Sequence, residues 1–138
     1  GLKREELLAM NSMILHEAYF NSLGKGGGKP GPALAKKIEG DFGSDKKWRD
    51  EFVAMGKALG GGSGWVLLSW SRRAGRLVNQ WAADHTMAVA DGRVLVALDM
   101  YEHAYHMDFG AKAAAYVDAF MGALDWAHAD GEFAASLK

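Results

Sequence analysis

Residues 65–70, with the sequence WVLLSW, are the first of three apolar runs that predict strands in this chain. β-Branched and aromatic residues also dominate residues 76–81 (RLVNQW), and the intervening residues 71–75 have the composition of a hairpin loop. A third apolar run, residues 94–100 (VLVALDM), follows a turn dipeptide formed by Asp91 and Gly92. Three short strands separated by turns predict a three-stranded antiparallel sheet.

Helical patterns precede this sheet. Residues 3–23 place apolar side chains at helical spacing and contain no helix breaker, so they predict one long amphipathic helix. Glycine and proline then dominate residues 24–32 (GKGGGKPGP), which predicts a loop. Residues 33–41 and 44–59 predict two further helices, and the hydroxyl of Ser44 is suited to cap the second.

Helical composition returns after the sheet. We predict helices over residues 101–109 and 111–126, and a frayed polar tail over the last dozen residues. Helices, a small sheet and further helices in that order indicate an α+β fold.

Composition limits the classes of function. The 138 residues are 49% hydrophobic and 24% charged, as expected for a globular domain, and the formal net charge is −1. This balance argues against nucleic acid as a main partner, and no apolar run approaches the ~20 residues that span a bilayer. There is no cysteine, so a transition metal must be held by histidine and carboxylate ligands, and the chain has only 5 histidines.

The strongest candidate for chemistry is the pair Asp99 and His103. Asp99 closes an apolar strand, and a buried carboxylate is costly unless it is paired or coordinated. The alternative interpretation is that Asp99 caps the following helix and that His103 is a hydrogen-bonded core histidine.

The remaining histidines each have a structural alternative. His16 lies on the first predicted helix, where a single histidine is more often structural than a ligand. His85 follows the second predicted strand and would ordinarily be a loop residue. His106 lies three residues after His103, near the same helical face, and His128 falls in the polar tail.

Taken together, these segments resemble the iron/manganese superoxide dismutase family. Residues 99–105 (DMYEHAY) are similar to its DxWEHAYY signature, and residues 16–23 (HEAYFNSL) are similar to its HxxxWxNL helix. Residues 26–30, 41–44 and 62–65 match a loop, a helix start and an aromatic segment of the family. The order and separations of these five segments agree from about His16 to Trp126.

The resemblance implies a superoxide dismutase with one Fe or Mn ion per chain, bound by His16, Asp99 and His103. It implies that His85 hydrogen-bonds the metal-bound solvent and that Trp65 forms part of a hydrophobic wall. Glu102 would reach His103 of a second subunit across a homodimer interface, which ties assembly to the metal site. The implied substrate is the superoxide anion, and we expect a cytoplasmic protein.

The resemblance also predicts a domain division. We expect residues 1–24 to be the second helix of an N-terminal helical hairpin and residues 25–138 to form the α/β metal-binding domain. The family's fourth histidine ligand and its gating tyrosine lie on the first helix of that hairpin. We therefore expect a longer natural protein whose upstream segment supplies both.

Some positions depart from the family pattern and leave alternatives open. Tyr101 stands where the signature has tryptophan, and His106 stands where it has its last tyrosine, so both residues are candidates for an interface contact or a substitute ligand. A site with only three protein ligands would resemble a 2-His-1-carboxylate iron centre of oxygenases. A third possibility is a structural or interaction relative that has lost catalysis.

Overall fold

The three apolar runs form the predicted antiparallel sheet. In the computed structural model, which describes residues 1–26 and 28–138, the strands are β1 (Trp65–Ser71), β2 (Arg76–Ala82) and β3 (Gly92–Asp99). β1 lies in the centre and pairs antiparallel with β2 and β3. All 7 residues of β1 are buried, and since successive side chains of a strand point to opposite faces, both faces of the sheet are covered at its centre.

The strand register gathers three chain segments at one end of the sheet. Trp65, the first residue of β1, pairs with Ala82 at the end of β2 and with Asp99 at the end of β3. An irregularity in the pairing of β1 with β3 falls between Leu68 and Ser69. The segments that leave β2 and β3 at this end therefore start next to Trp65.

The three helices predicted before the sheet are confirmed. They are α1 (Leu2–Asn21), α2 (Pro32–Phe42) and α3 (Asp45–Ala58), and their ends lie within two residues of the predicted ones. α3 packs against β1 and β2, whereas α1 packs against β3. The α+β prediction is confirmed with them.

Burial of α1 is confined to its C-terminal half. Leu15, Ala18 and Tyr19 are buried, but Met10 and Ile14, which share the predicted apolar pattern, are about half exposed. The N-terminal half of α1 therefore contributes little to the core of the described chain. Among the described residues, no helix combines the length and apolar character that crossing a bilayer requires.

The loop between α1 and α2 is fastened to the C-terminal part of the chain. The Gly24 amide donates to the Ala123 carbonyl (2.9 Å), and the Gly31 amide donates to the Asp130 carboxylate (2.9 Å). Gly27, part of the predicted loop and of the matched segment 26–30, lies outside the described residues. These bonds fix where α1 ends and α2 begins.

Two helical predictions after the sheet need correction. The predicted helix over 101–109 is a 3-10 turn (Glu102–Ala104) followed by a single turn of helix, α4 (His106–Phe109). Gly110, with φ +56°, ends α4 in a conformation that other residues rarely adopt. The next helix, α5, is limited to Ala113–Gly122, because the chain after it forms a bridge between Leu124 and Leu23.

The predicted frayed tail is wrong. Residues Ala127–Ser136 form helix α6, which packs against β3. Ala129 and Phe133 are buried four residues apart on one face, and the Phe133 ring meets Trp70 edge to face at 5.4 Å. This short apolar stripe is too weak to recognise in a polar segment without its packing partner.

The predicted Ser44 cap is present and gives a stability prediction. Ser44 Oγ accepts a hydrogen bond from the Lys47 amide at 3.0 Å, so Ser44→Ala leaves a first-turn amide of α3 without this partner. We expect a loss of about 1 kcal/mol in the free energy of unfolding, measured by urea denaturation. Ser63→Ala is the control, because Ser63 is exposed and its side chain has no hydrogen bond to a described residue. Equal losses in both variants would contradict the capping role.

Candidate metal centre

Three separate elements bring His16, Asp99 and His103 together. His16 lies on α1, Asp99 ends β3, and His103 lies in the 3-10 turn that follows. His103 Nε2 is 2.9 Å from Asp99 Oδ2, His16 Nε2 is 3.3 Å from the same oxygen, and the two nitrogens are 3.5 Å apart. One imidazole nitrogen from each histidine and one carboxylate oxygen thus form a small triangle.

The size of this triangle suits a transition metal. The circle through the three atoms has a radius of about 1.9 Å, close to the ~2.0–2.2 Å at which such atoms bind an ion such as zinc. The donor set of two imidazoles and one carboxylate suits iron or manganese as well. The three residues therefore fit a bound metal ion on both distance and chemistry.

The three side chains of the triangle differ widely in their exposure to solvent. The Asp99 side chain is 1% exposed, the His16 side chain 29% and the His103 side chain 60%. The carboxylate thus lies at the closed end of the site and the imidazole of His103 at the open end. This exposure does not fit the alternative interpretation of His103 as a core histidine.

The backbone of α1 sets the tautomer of His16. His16 Nδ1 lies 2.7 Å from the carbonyl oxygen of Ser12, one turn earlier. A carbonyl can only accept, so Nδ1 carries a proton, and in the neutral ring Nε2 presents its lone pair to the triangle. A partner on the far nitrogen is the usual way in which a ligating histidine is oriented.

Asp99 is held at both of its carboxylate oxygens. Oδ1 accepts a hydrogen bond from the Tyr101 amide at 2.9 Å, which leaves Oδ2 to face the two imidazoles. A capping contact of the kind considered from the sequence therefore exists, but it uses only one oxygen. A buried carboxylate requires a positive or hydrogen-bonding partner, and the two imidazoles or a cation they share can provide it.

His85 lies beside the triangle, in the loop that leaves β2. Its ring centre is 6.0 Å from that of His16, and its Nδ1 is 2.9 Å from the indole Nε1 of Trp65. The indole N–H can only donate, so the neutral His85 ring carries its proton on Nε2. Burial lowers the pKa of His85, and the neighbouring His16 acts in the same direction.

The loop that carries His85 is fixed by polar contacts that the sequence did not reveal. Asn11 Nδ2 donates to the His85 carbonyl at 2.6 Å, and Asp84 Oδ1 accepts from both the amide and the hydroxyl of Thr86. Asn11 has no distinctive sequence signal, because its role depends on how α1 crosses this loop. These contacts hold the imidazole against Trp65.

Tyr101 packs between the two histidines at the open side. Its ring is 5.0 Å from that of His85 and 5.8 Å from that of His103, nearly parallel to the latter at 9°. Trp65, fully buried, meets both the Tyr101 and the His16 ring edge to face. Trp65 and Tyr101 thus form an aromatic wall around the imidazoles.

The structure does not bring Glu102 or His106 into the triangle. Both are exposed, and neither side chain has a hydrogen bond or ion pair with a residue in the described part of the chain. His106 begins α4 but is not part of the group of atoms that could hold an ion. Their predicted roles at an interface therefore remain predictions.

Behind the site lie two buried tyrosines, Tyr19 and Tyr116, that were not predicted from the sequence. The Tyr116 hydroxyl is 2.8 Å from the Asp99 carbonyl oxygen and 2.9 Å from the Tyr19 hydroxyl. Burial raises the pKa of both phenols, so both keep their protons. Tyr116 comes 17 residues after Asp99 in another helix, and nothing in one sequence links the two.

Comparison with known proteins identifies a family model and several relatives. The model for the C-terminal domain of iron/manganese superoxide dismutases matches residues 30–132. An iron superoxide dismutase of Cupriavidus metallidurans is 66% identical over 138 residues, which cover 100% of this chain and 70% of that protein. A manganese superoxide dismutase of Halobacterium salinarum is 38% identical over 82% of this chain and 56% of its own length.

A further relative is the iron superoxide dismutase of Aquifex aeolicus. It is 36% identical over 99% of this chain, which spans 64% of that protein. Relatives named for iron and for manganese are thus both present.

Proposed function

This chain belongs to the iron/manganese superoxide dismutase family, and on that premise we propose that it carries the metal site of a superoxide dismutase. His16 Nε2, Asp99 Oδ2 and His103 Nε2 would hold one Fe or Mn ion. The observation that carries this proposal is the mutual distance of these three atoms, 2.9 to 3.5 Å. Such a metal supplies one-electron chemistry, in which one superoxide is oxidised to dioxygen and a second, with two protons, is reduced to hydrogen peroxide.

The residues around the triangle have distinct roles in this proposal. His85, with its proton on Nε2, offers a hydrogen-bond donor beside the site, and Trp65 holds that tautomer by donating to Nδ1. Trp65 and Tyr101 limit the access of water to the buried side of the imidazoles. Asp99 supplies a negative charge in a buried position, where a cation is bound more strongly than it would be in water.

We also propose a homodimer formed through Glu102 and His103. His103 Nδ1 has no hydrogen bond within the described part of the chain, and the Glu102 carboxylate is exposed one residue away. Each carboxylate would accept from His103 Nδ1 of the other subunit, which would orient the ligand as a carboxylate commonly does. We further propose a cytoplasmic location and an antioxidant role, both on the basis of membership in this family. His106, also exposed, would lie near this interface.

A second candidate function follows from the number of ligands. Within the described residues, the group of atoms that could hold an ion consists of His16, Asp99 and His103 alone. Two histidines and one carboxylate also form the iron site of non-haem oxygenases. The domain division at residue 24 and a further histidine ligand remain predictions from the family resemblance.

Metal content and superoxide consumption test the proposal together. We expect the purified chain to contain about one Fe or Mn ion and to consume superoxide, with activity lost on chelation and restored by the ion. Metal binding without superoxide consumption would favour the second candidate. A folded chain that binds neither ion would contradict both metal-dependent functions and leave an interaction role.

A further inference from the structure

Two side-chain hydroxyl groups form hydrogen bonds with backbone groups on the outer edge of β3, beside the candidate metal centre. The Ala97 amide donates to Ser22 Oγ at 3.2 Å, and the Asp99 carbonyl accepts from the Tyr116 hydroxyl at 2.8 Å. Residues two apart in a strand direct their backbone polar groups to the same side, here away from β1. Ser22, which directly follows α1, and Tyr116 of α5 thus satisfy groups that another strand would otherwise pair.

The hydrogen bonds among the tyrosines can run in one direction only. The Asp99 carbonyl has no proton to give, so the Tyr116 hydroxyl donates to it. Since that hydroxyl has a single proton, it must accept from the Tyr19 hydroxyl at 2.9 Å. The Tyr19 hydroxyl therefore donates to the Tyr116 hydroxyl, which in turn donates to the backbone carbonyl of Asp99.

These hydrogen bonds connect α1, which carries His16, with the end of β3, which carries Asp99. Tyr19 follows His16 by three residues, so both lie on nearly the same face of α1. At the other end, the carbonyl belongs to Asp99 itself, the residue whose Oδ2 touches both imidazoles. The phenols thus span from the helix that carries His16 to the strand end that carries Asp99.

We propose that Tyr116, supported by Tyr19, is a positioning residue of the metal centre that sets the distance between the Asp99 carboxylate and His16. The inference rests on the proposed metal site. Asp99, Tyr116 and Tyr19 are all buried, so water does not readily replace a lost hydroxyl. Without the Tyr116 hydroxyl, the Asp99 carbonyl becomes an unpaired buried acceptor, and the strand end shifts to relieve it. A shift of a few tenths of an ångström matters, because metal ligands are bound within about 0.2 Å of their preferred distances.

Three tyrosine-to-phenylalanine variants of the full chain test this role. Tyr116→Phe removes the donor to Asp99 and keeps the ring, whereas Tyr19→Phe leaves the bond from Tyr116 to Asp99 intact. Tyr105→Phe is the matched control, since the Tyr105 hydroxyl is buried without a hydrogen-bond partner among the described residues. Its ring lies 5.1 Å from that of Tyr116, so the same chemical change is made in the same part of the core.

The readouts are the affinity for Mn²⁺, measured by competition with a chelator, and the visible spectrum of bound Co²⁺. We expect Tyr116→Phe to weaken Mn²⁺ binding roughly tenfold and to shift the Co²⁺ bands, as loss of an outer partner of a metal ligand does. Tyr19→Phe should change both in the same direction but less, and Tyr105→Phe should change neither. Should Tyr116→Phe fail to fold, Tyr19→Phe decides the question.

Several results would overturn the inference. It fails if Tyr116→Phe lowers only the unfolding temperature, with Mn²⁺ affinity and Co²⁺ spectrum unchanged, or if Tyr105→Phe has an equal effect. A wild-type chain that binds Mn²⁺ but does not consume superoxide contradicts the dismutase proposal and leaves the variant comparison valid. A wild-type chain that binds neither Mn²⁺ nor Co²⁺ contradicts both.

Discussion

Replacing His103 with alanine is expected to abolish metal retention and, with it, any superoxide consumption by this chain. The substitution removes one of the three atoms of the triangle and leaves His16 and Asp99 as the remaining pair. Loss of an outer-shell partner alone costs 10–100-fold in metal affinity, so loss of the ligand itself should cost roughly 100-fold or more. Elemental analysis after dialysis and a superoxide-consumption assay measure the two effects.

The position of His103 keeps the effect of the substitution on the core small, because its side chain is 60% exposed. The metal-free variant should still fold, with an unfolding temperature somewhat below that of metal-free wild type, because it loses the contact with the buried Asp99 carboxylate and the proposed contact with Glu102 of a second subunit. His106→Ala is the control, since it removes another exposed imidazole three residues away that is outside the triangle. Metal retained in His103→Ala but lost in His106→Ala would refute the ligand assignment.

Replacing Gly64 with alanine is expected to cost about 3 kcal/mol in the free energy of unfolding. Gly64 has φ +139°, which a residue with a Cβ rarely adopts, and a Cβ there would collide with the Ala82 carbonyl oxygen. Its own carbonyl accepts from the Met100 amide at 2.9 Å, so the backbone cannot move aside freely. Thermal unfolding should show a fall of about 10 °C.

Gly62→Ala is the control for Gly64→Ala, because it shows whether any substitution of a glycine before β1 lowers the stability. A Cβ at Gly62 would meet only the Leu59 carbonyl oxygen at 3.5 Å, an ordinary contact, so we expect a change within about 0.5 kcal/mol. A loss for Gly62→Ala as large as that for Gly64→Ala would contradict the strain argument. Because Gly64 directly precedes Trp65, the damaging substitution should also weaken metal binding.

The elements with strong local signals could be predicted from the sequence. The strands followed from runs of β-branched and aromatic residues, and α3 was predicted together with its cap, Ser44, whose side chain does cap it. The helix α6 could not be predicted, because its apolar face is small and becomes recognisable only when Phe133 packs on Trp70. The short α4 differs from its prediction because Gly110 ends it after one turn.

The residues of the candidate site could be predicted from the sequence only in part. His16, Asp99, His103 and His85 were identified through resemblance to family motifs, and the structure places them together. Asn11, Tyr19 and Tyr116 were missed, since their hydrogen bonds join residues far apart in the chain. A hydroxyl on a buried aromatic ring gives no sign in sequence of whether it has a partner, and Tyr105, which has none among the described residues, illustrates this.

Local signals along the chain were enough to predict the α+β order of elements and the residue types that could hold a metal in a chain without cysteine. Periodicity, caps and turns are local properties, and the ligand chemistry follows from composition. The distance of 3.3 Å between an imidazole on α1 and a carboxylate at the end of β3, 83 positions later, depends instead on the three-dimensional packing. That distance depends on the crossing of α1 over an edge strand and on the buried hydroxyls between them, which are non-local contacts that no pattern along the chain records.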